Sequence, residues 1–186
     1  PMLDTVRFAM LNDLAYYSHT RNLKTSLAFT QLGLSLTQSN PLWYGRFQIT
    51  LGSVLLRDEK LDSALLVLED AKAKVNASDL AFLNTQLGYV FERKGELDKA
   101  TDYAQESMNI GVELNDNKVI ALAYSDLSNI FWKQSKFEKG LEYGLKSIEF
   151  FQQRGIKCLD YDFALYVVGN NYLELGQHEE ALDYYE

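Results

Sequence analysis

The 186 residues predict an all-α fold, a right-handed α-solenoid of about five antiparallel helix pairs. The first observation behind this is self-similarity, which is sought before anything else because a missed repeat misassigns the whole fold. Four segments superimpose: Leu51-Gly52 with Ala64, Leu87-Gly88 with Ala100, Leu127-Ser128 with Gly140, and Val168-Gly169 with Ala181. Their first anchors fall at 52, 88, 128 and 169, and a second small residue follows 12 positions after each. The second observation is periodicity. Apolar residues recur three and four apart, as in Phe82, Leu83, Leu87, Val90 and Phe91. The third is composition: 2 prolines and 11 glycines are too few for the many tight turns of an all-β chain.

In chain order, a weaker copy opens the sequence around Leu14-Ala15, Leu23 and Ser26, with helices at about 4–19 and 23–38. Ser39-Asn40-Pro41 starts the next pair, with proline at the first helical position, and places helices at about 41–57 and 61–75. Ser78-Asp79 opens a third pair at about 79–94 and 97–114. Asn115-Asp116-Asn117 opens a fourth at about 117–134 and 137–154. Gly155 precedes a fifth at about 158–175 and 178–186. Three residues after each anchor stands a large side chain, Leu55, Phe91, Phe131 or Tyr172, suited to filling the space between hairpins. The slot seven after each anchor is a turn, occupied by Glu59, Gly95, Ser135 and Gly176. The small anchors let the two helices of a pair approach closely. The chain therefore reads as one array, with repeats at about 4–40, 41–77, 78–116, 117–157 and 158–186. Pro1 at one end and the apolar run Ala181 to Glu186 at the other are expected to mark a fragment of a longer chain. The short last helix leaves Tyr172, Leu173 and Leu182 as a surface for self-association through that end.

The pattern resembles the tetratricopeptide repeat (TPR) family. Leu87-Gly88, Phe91, Gly95, Leu97 and Ala100 match its marks, as do Val168-Gly169, Tyr172, Gly176 and Ala181. Ser128 and Gly140 depart from the usual glycine and alanine. Anchor steps from 52 to 88, 128 and 169 exceed the usual repeat of about 34 residues. Long repeats of this kind resemble those of peptide-sensing bacterial regulators and kinesin-light-chain-like adaptors. The opening Asp4-Thr5-Val6-Arg7 with Leu11-Asn12-Asp13-Leu14-Ala15 is similar to the start of repeat-type sensor regions in bacterial signalling proteins.

Chemistry is sparse. A net charge of −8 has the wrong sign for a general nucleic-acid binder. No apolar run approaches the roughly 18 residues of a membrane span, so no membrane contact is expected. A single cysteine, Cys158, excludes an intrachain disulfide and any multi-cysteine metal site. His19 and His178 belong to the first and last hairpins, too far apart in a stack to share a metal. No phosphate loop, zinc-protease helix or nucleophile elbow occurs. Glu179-Glu180, Asp98 and Glu138 fall in early turns of helices, where they complement the dipole. No catalytic residue, metal or cofactor is expected, and no enzyme activity.

The resemblance implies that the first helix of each pair lines a concave face and that the partner is a protein or peptide. One residue after the anchors stand Ser53, Tyr89, Asn129 and Asn170; five after stand Arg57, Arg93, Lys133 and Glu174. Six and three before come Phe82 and Thr85, Leu122 and Ser125, Phe163 and Tyr166. Asn129 and Asn170, with Tyr89, Arg93, Lys133, Tyr166, Gln86 and Arg57, form the candidate peptide-binding set. Asparagine amides pair with peptide N–H and C=O groups, cations with carboxylates, and aromatics with side chains. These polar residues also suit pairing with acids of neighbouring helices, a scaffold role worth about 0–1 kcal/mol each at the surface. The leading reading is a non-catalytic scaffold holding an extended segment in its groove. The alternatives are the sensor half of a bacterial signal-transduction regulator and a structural spacer, with cytoplasm and periplasm both open.

Overall fold

The computed structural model describes residues 2–153 and 159–186, so Gly155 and Cys158 lie outside the described residues. Among the described residues there are ten α-helices and no strand. They are α1 (Met2–Ser18), α2 (Leu23–Leu36), α3 (Pro41–Arg57), α4 (Leu61–Ala71) and α5 (Ala77–Arg93), then α6 (Leu97–Glu113), α7 (Asn117–Lys133), α8 (Phe137–Gln152), α9 (Leu159–Glu174) and α10 (His178–Tyr185). They fall into two compact units, Pro1–Lys94 with α1–α5 and Gly95–Glu186 with α6–α10.

From α3 to α8 two kinds of helix start alternate, whereas α2 is capped inside its own hairpin, Asn22 Oδ1 accepting from Thr25 N–H (3.0 Å). Where one pair ends and the next begins, an amide or carboxylate caps the new helix: Asn40 Oδ1 accepts from Trp43 N–H (3.3 Å), and Asp116 from Lys118 and Val119 N–H (3.0 and 3.2 Å). Helices α4, α6, α8 and α10 have no side-chain cap. Before each of them comes the slot seven after the anchor, and all four of its residues are left-handed: Glu59 (φ 56°), Gly95 (76°), Ser135 (57°) and Gly176 (76°). The turn closes the preceding helix by backbone bonds, Lys60 N–H to Leu55 C=O (2.9 Å) and Lys136 N–H to Phe131 C=O (2.8 Å). Glycine adopts this conformation freely, whereas Glu59 and Ser135 hold it at a cost of about 1 kcal/mol because the repeat demands it.

In the first unit α3 packs on α1, α2, α4 and α5. Phe47, fully buried, lies on Gly33 of α2, where a Cβ would come within 2.1 Å of its ring. Leu68 of α4 covers Gly52 in the same way, at 2.5 Å. The weak first copy is a true hairpin, since Ser26 Oγ donates to the carbonyl of Ala15 (2.6 Å) with both residues buried. One boundary differs from expectation. The helix predicted to 75 stops at Ala71 and continues as a 3₁₀ turn, Lys72–Lys74. This turn crosses α3 at Gly45, where a Cβ would lie 2.8 Å from Val75 and 2.9 Å from Lys74. Lys74 Nζ donates to Asp70 (2.6 Å), as does Gln48 Nε2 (2.6 Å), and these bonds hold the Asp70 carboxyl below its usual value. Helix α5 then begins two residues earlier than read, because Asn76 rather than Ser78 accepts from Asp79 N–H (2.9 Å).

In the second unit α7 packs on α6, α8 and α9, and α9 on α10. Ala121, Ile148, Phe151, Ala164 and Val168 form its buried core. The departures at Ser128 and Gly140 explain each other: Ser128 Oγ donates to the Gly140 carbonyl (2.6 Å) across the α7–α8 pair. Ser147 Oγ adds a parallel bond to Ala121 C=O (2.7 Å).

Candidate functional site

The first helices of the first unit's pairs, α1, α3 and α5, enclose an open cavity of about 360 Å³. From α1 come Asn12, Asp13, Tyr16 and Tyr17; from α3 Trp43, Arg46, Ile49 and Thr50; from α5 Asp79 and Phe82. Its polar groups tie the three helices together. Thr50 Oγ1 donates to Asn12 Oδ1 (2.8 Å), joining α3 to α1. Arg46 Nε donates to Asp79 Oδ2 (2.8 Å), joining α3 to α5 with both side chains mostly covered. The same guanidinium stacks 4.6 Å from the centre of the Trp43 ring. Tyr16 meets Phe82 edge to face, with ring centres 5.5 Å apart. Aromatic walls with a few fixed polar groups, held on helices, are the usual makings of a binding pocket.

The candidate residues of the first unit stand elsewhere. Gln86 is buried, and its Oε1 accepts from Ser53 Oγ (2.8 Å) between α3 and α5. Arg93 is exposed and ion-paired with Glu59. Arg57 is exposed and Tyr89 half-buried. None of the four lines the cavity; Phe82 is the residue singled out for the inner face that does. The signal for the remainder was present. The spacing that selected Phe82, six before its anchor, selects Arg46 one repeat earlier, and three before selects Ile49. Nine before the anchors stand Trp43 and Asp79.

In the second unit Asn170 is only 8% exposed, and its Oδ1 accepts from the Tyr185 hydroxyl (2.7 Å). Tyr185 lies over Gly169, where a Cβ would meet its ring at 2.5 Å. Burial pushes the Tyr185 hydroxyl, and that of Tyr184, above the ordinary 10.0. Tyr166 is half exposed with its ring 6.2 Å from Tyr185; Lys133 is exposed and Asn129 half-buried. The neighbouring Asn171 was not singled out. It is fully buried, and its Nδ2 donates to Val167 C=O (2.8 Å) and Ser128 Oγ (3.3 Å). Of the residues named for the C-terminal surface, Leu173 and Leu182 are about half exposed, whereas Tyr172 stacks on Tyr184 at 5.4 Å.

Among the described residues no group of His, Cys, Asp or Glu is placed to hold a metal ion. No described helix is long and apolar enough to cross a membrane. Residues 119–186, which contain Ser128, Gly140, Gly169 and Ala181, match the family model of the tetratricopeptide repeat. Over that segment the chain is similar to tetratricopeptide repeats. The solved structures extend the likeness of fold to nearly the whole chain. BtubC (BKLC) from P. vanneervenii is 15% identical with a TM-score of 0.76, over 98% of this chain and 80% of that one. A Podosopora anserina kinesin light chain protein with nearly identical TPR-like repeats is 13% identical with a TM-score of 0.69, over 96% and 91%. A STAND signal-transduction ATPase from Pyrococcus horikoshii, which carries a tetratricopeptide repeat sensor, is 15% identical with a TM-score of 0.68, over 96% of this chain and 29% of that one.

Proposed function

We propose that this chain is a non-catalytic TPR scaffold that holds an extended protein or peptide segment against the first helices of its pairs. The observation that carries the reading is the aromatic-walled cavity on α1, α3 and α5, open to solvent and built on rigid helices. In the second unit Asn129, Asn170, Lys133 and Tyr166 are the proposed contacts. There Asn170 would have to exchange its bond from Tyr185 for one from a peptide. The test is selection of binders from a random displayed dodecapeptide library against the wild-type chain and a Phe82→Glu variant. Recovered peptides should bind saturably and lose affinity by about tenfold or more in the variant, the loss of one well-placed apolar contact. Failure to recover any saturable binder favours the spacer reading.

A second reading is the sensor half of a signal-transduction regulator. The fold likeness to the repeat-sensor ATPase supports it, at 29% of that protein's length. Its test is the full-length gene product, which under this reading contains an output domain whose activity responds to the segment bound here.

A further inference from the structure

We propose that the cavity of the first unit selects a cationic side chain, a lysine or arginine presented beside an apolar residue of the bound segment. This rests on the reading above that the cavity holds a partner segment, and it names the chemistry of that segment. It also reverses the expectation drawn from the arginines and lysine five after the anchors, which suit acidic partners.

The charges lining the cavity are Asp13, Arg46 and Asp79. Arg46 already has two partners, the Asp79 carboxylate at 2.8 Å and the face of Trp43 at 4.6 Å. Asp79 already neutralises Arg46, and a ligand carboxylate aimed at that guanidinium would meet the Asp79 carboxylate beside it, a like charge. The first unit's other candidate cations offer no substitute, because Arg57 and Arg93 do not line the cavity and Arg93 is held by Glu59. With Arg46 and Asp79 cancelling, the charge left to a ligand is that of Asp13.

Asp13 is exposed and has no hydrogen bond or ion pair among the described residues. It precedes Tyr16 and Tyr17 by three and four residues, so the carboxylate and both rings share one face of α1. Tyr17 is 72% exposed, and Tyr16 is propped edge to face by Phe82. A carboxylate and aromatic rings on the same helix face both draw a cation, the one by direct charge and the rings through their negative faces. The alkyl stem of lysine or arginine suits the apolar wall of Phe82 and Ile49. A cavity of 360 Å³ has room for one or two such side chains. The chain's net charge of −8 adds long-range attraction of the same sign.

The test uses three pools of fluorescein-labelled dodecapeptides with blocked ends, identical in apolar content. One carries Lys and Arg, one Asp and Glu, one Ser and Gln, and binding is read by polarisation. The basic pool should bind the wild-type chain about tenfold more tightly than the other two, the scale of one desolvated cation–π contact with a carboxylate. Asp13→Lys should abolish that preference. Glu179→Lys makes the same change in net charge at an exposed residue of α10, in the other unit, and should reduce basic-pool binding by no more than about twofold. Equal losses in the two variants overturn the proposal, because attraction would then be nonspecific. Acidic or neutral peptides binding as well as basic ones, and weakening in Tyr17→Ala, overturn the charge assignment while leaving the cavity as a segment-binding site. No binding by any pool overturns both.

Discussion

Ser53 on α3 and Asn170 on α9 occupy the same place in their repeats, one residue after the anchor, and both are buried. Ser53 Oγ reaches sideways to Gln86 on α5, the equivalent helix of the next pair. Asn170 instead takes its bond from Tyr185 on α10, its own hairpin partner. The contrast extends beyond one position. In the first unit Asn12–Thr50 and Arg46–Asp79 join equivalent helices, and the cavity opens among them. In the second, Ser128, Gly140 and Asn171 meet at the bottom of the packing, where no solvent reaches. Polar groups placed at the surface of a groove leave room for a partner, while those placed in the core fix how helices seat on each other.

The largest effect that would break this comparison lies in the first unit. Phe47→Ala empties the space over Gly33 and should cost about 3–5 kcal/mol, read by chemical denaturation. A cost below about 1 kcal/mol would mean that α2 and α3 do not seat on that ring.

The second unit should be sensitive to added volume instead. A Cβ on Gly140 would fall 2.2 Å from Asn171 Oδ1, so Gly140→Ala should cost about 1–3 kcal/mol. Asn171→Ala alone loses two buried hydrogen bonds and should cost a similar amount. Together the two changes should cost at least about 0.5 kcal/mol less than their sum, since the methyl then occupies the space the amide leaves. Strict additivity would separate the two sites.

A smaller effect tests whether Asn170 serves the scaffold. Tyr185→Phe removes its donor and should cost about 0.5–1.5 kcal/mol. The same residue carries a pH dependence. Burial raises the Tyr184 and Tyr185 hydroxyls above 10.0, so folding disfavours their charged forms. Their contribution is complete below the unfolded value of about 10 and is lost as pH rises through the raised folded values. Melting midpoints followed from about pH 8 to about pH 11 should therefore fall at the alkaline end, and fall less in a Tyr184→Phe/Tyr185→Phe variant. Parallel curves would assign the alkaline loss to other groups.

Much of this architecture was legible before any coordinates. Asn40-Pro41 predicted the start of α3 and the anchor at Gly52 its hairpin turn, because caps and turns are local chemistry read within a few residues. Ser135 shows how far the repeat can be trusted: it takes the left-handed geometry of Gly95 and Gly176 because its slot, not its own preference, dictates it. The end of α4 was misread because its cause, the close passage of Lys74 and Val75 over Gly45, lies some thirty residues away in sequence. The candidate site was read less well. Of the cations five after the anchors, Arg93 is held by Glu59, the scaffold pairing that the sequence left open beside peptide binding. Arg46, which does line the cavity, stands six before its anchor, the spacing of Phe82 one repeat later.

By itself the sequence determined the described helices and their turn positions, since both follow from periodicity and short-range steric rules repeated along the chain. Only the tertiary structure decided which polar side chains remain for a partner. An asparagine or arginine has the same valence at the surface of a groove or inside the packing. Whether that valence is spent depends on the neighbour that packing brings within about 3 Å: Tyr185 for Asn170, Asp79 for Arg46, and no described partner for Asp13.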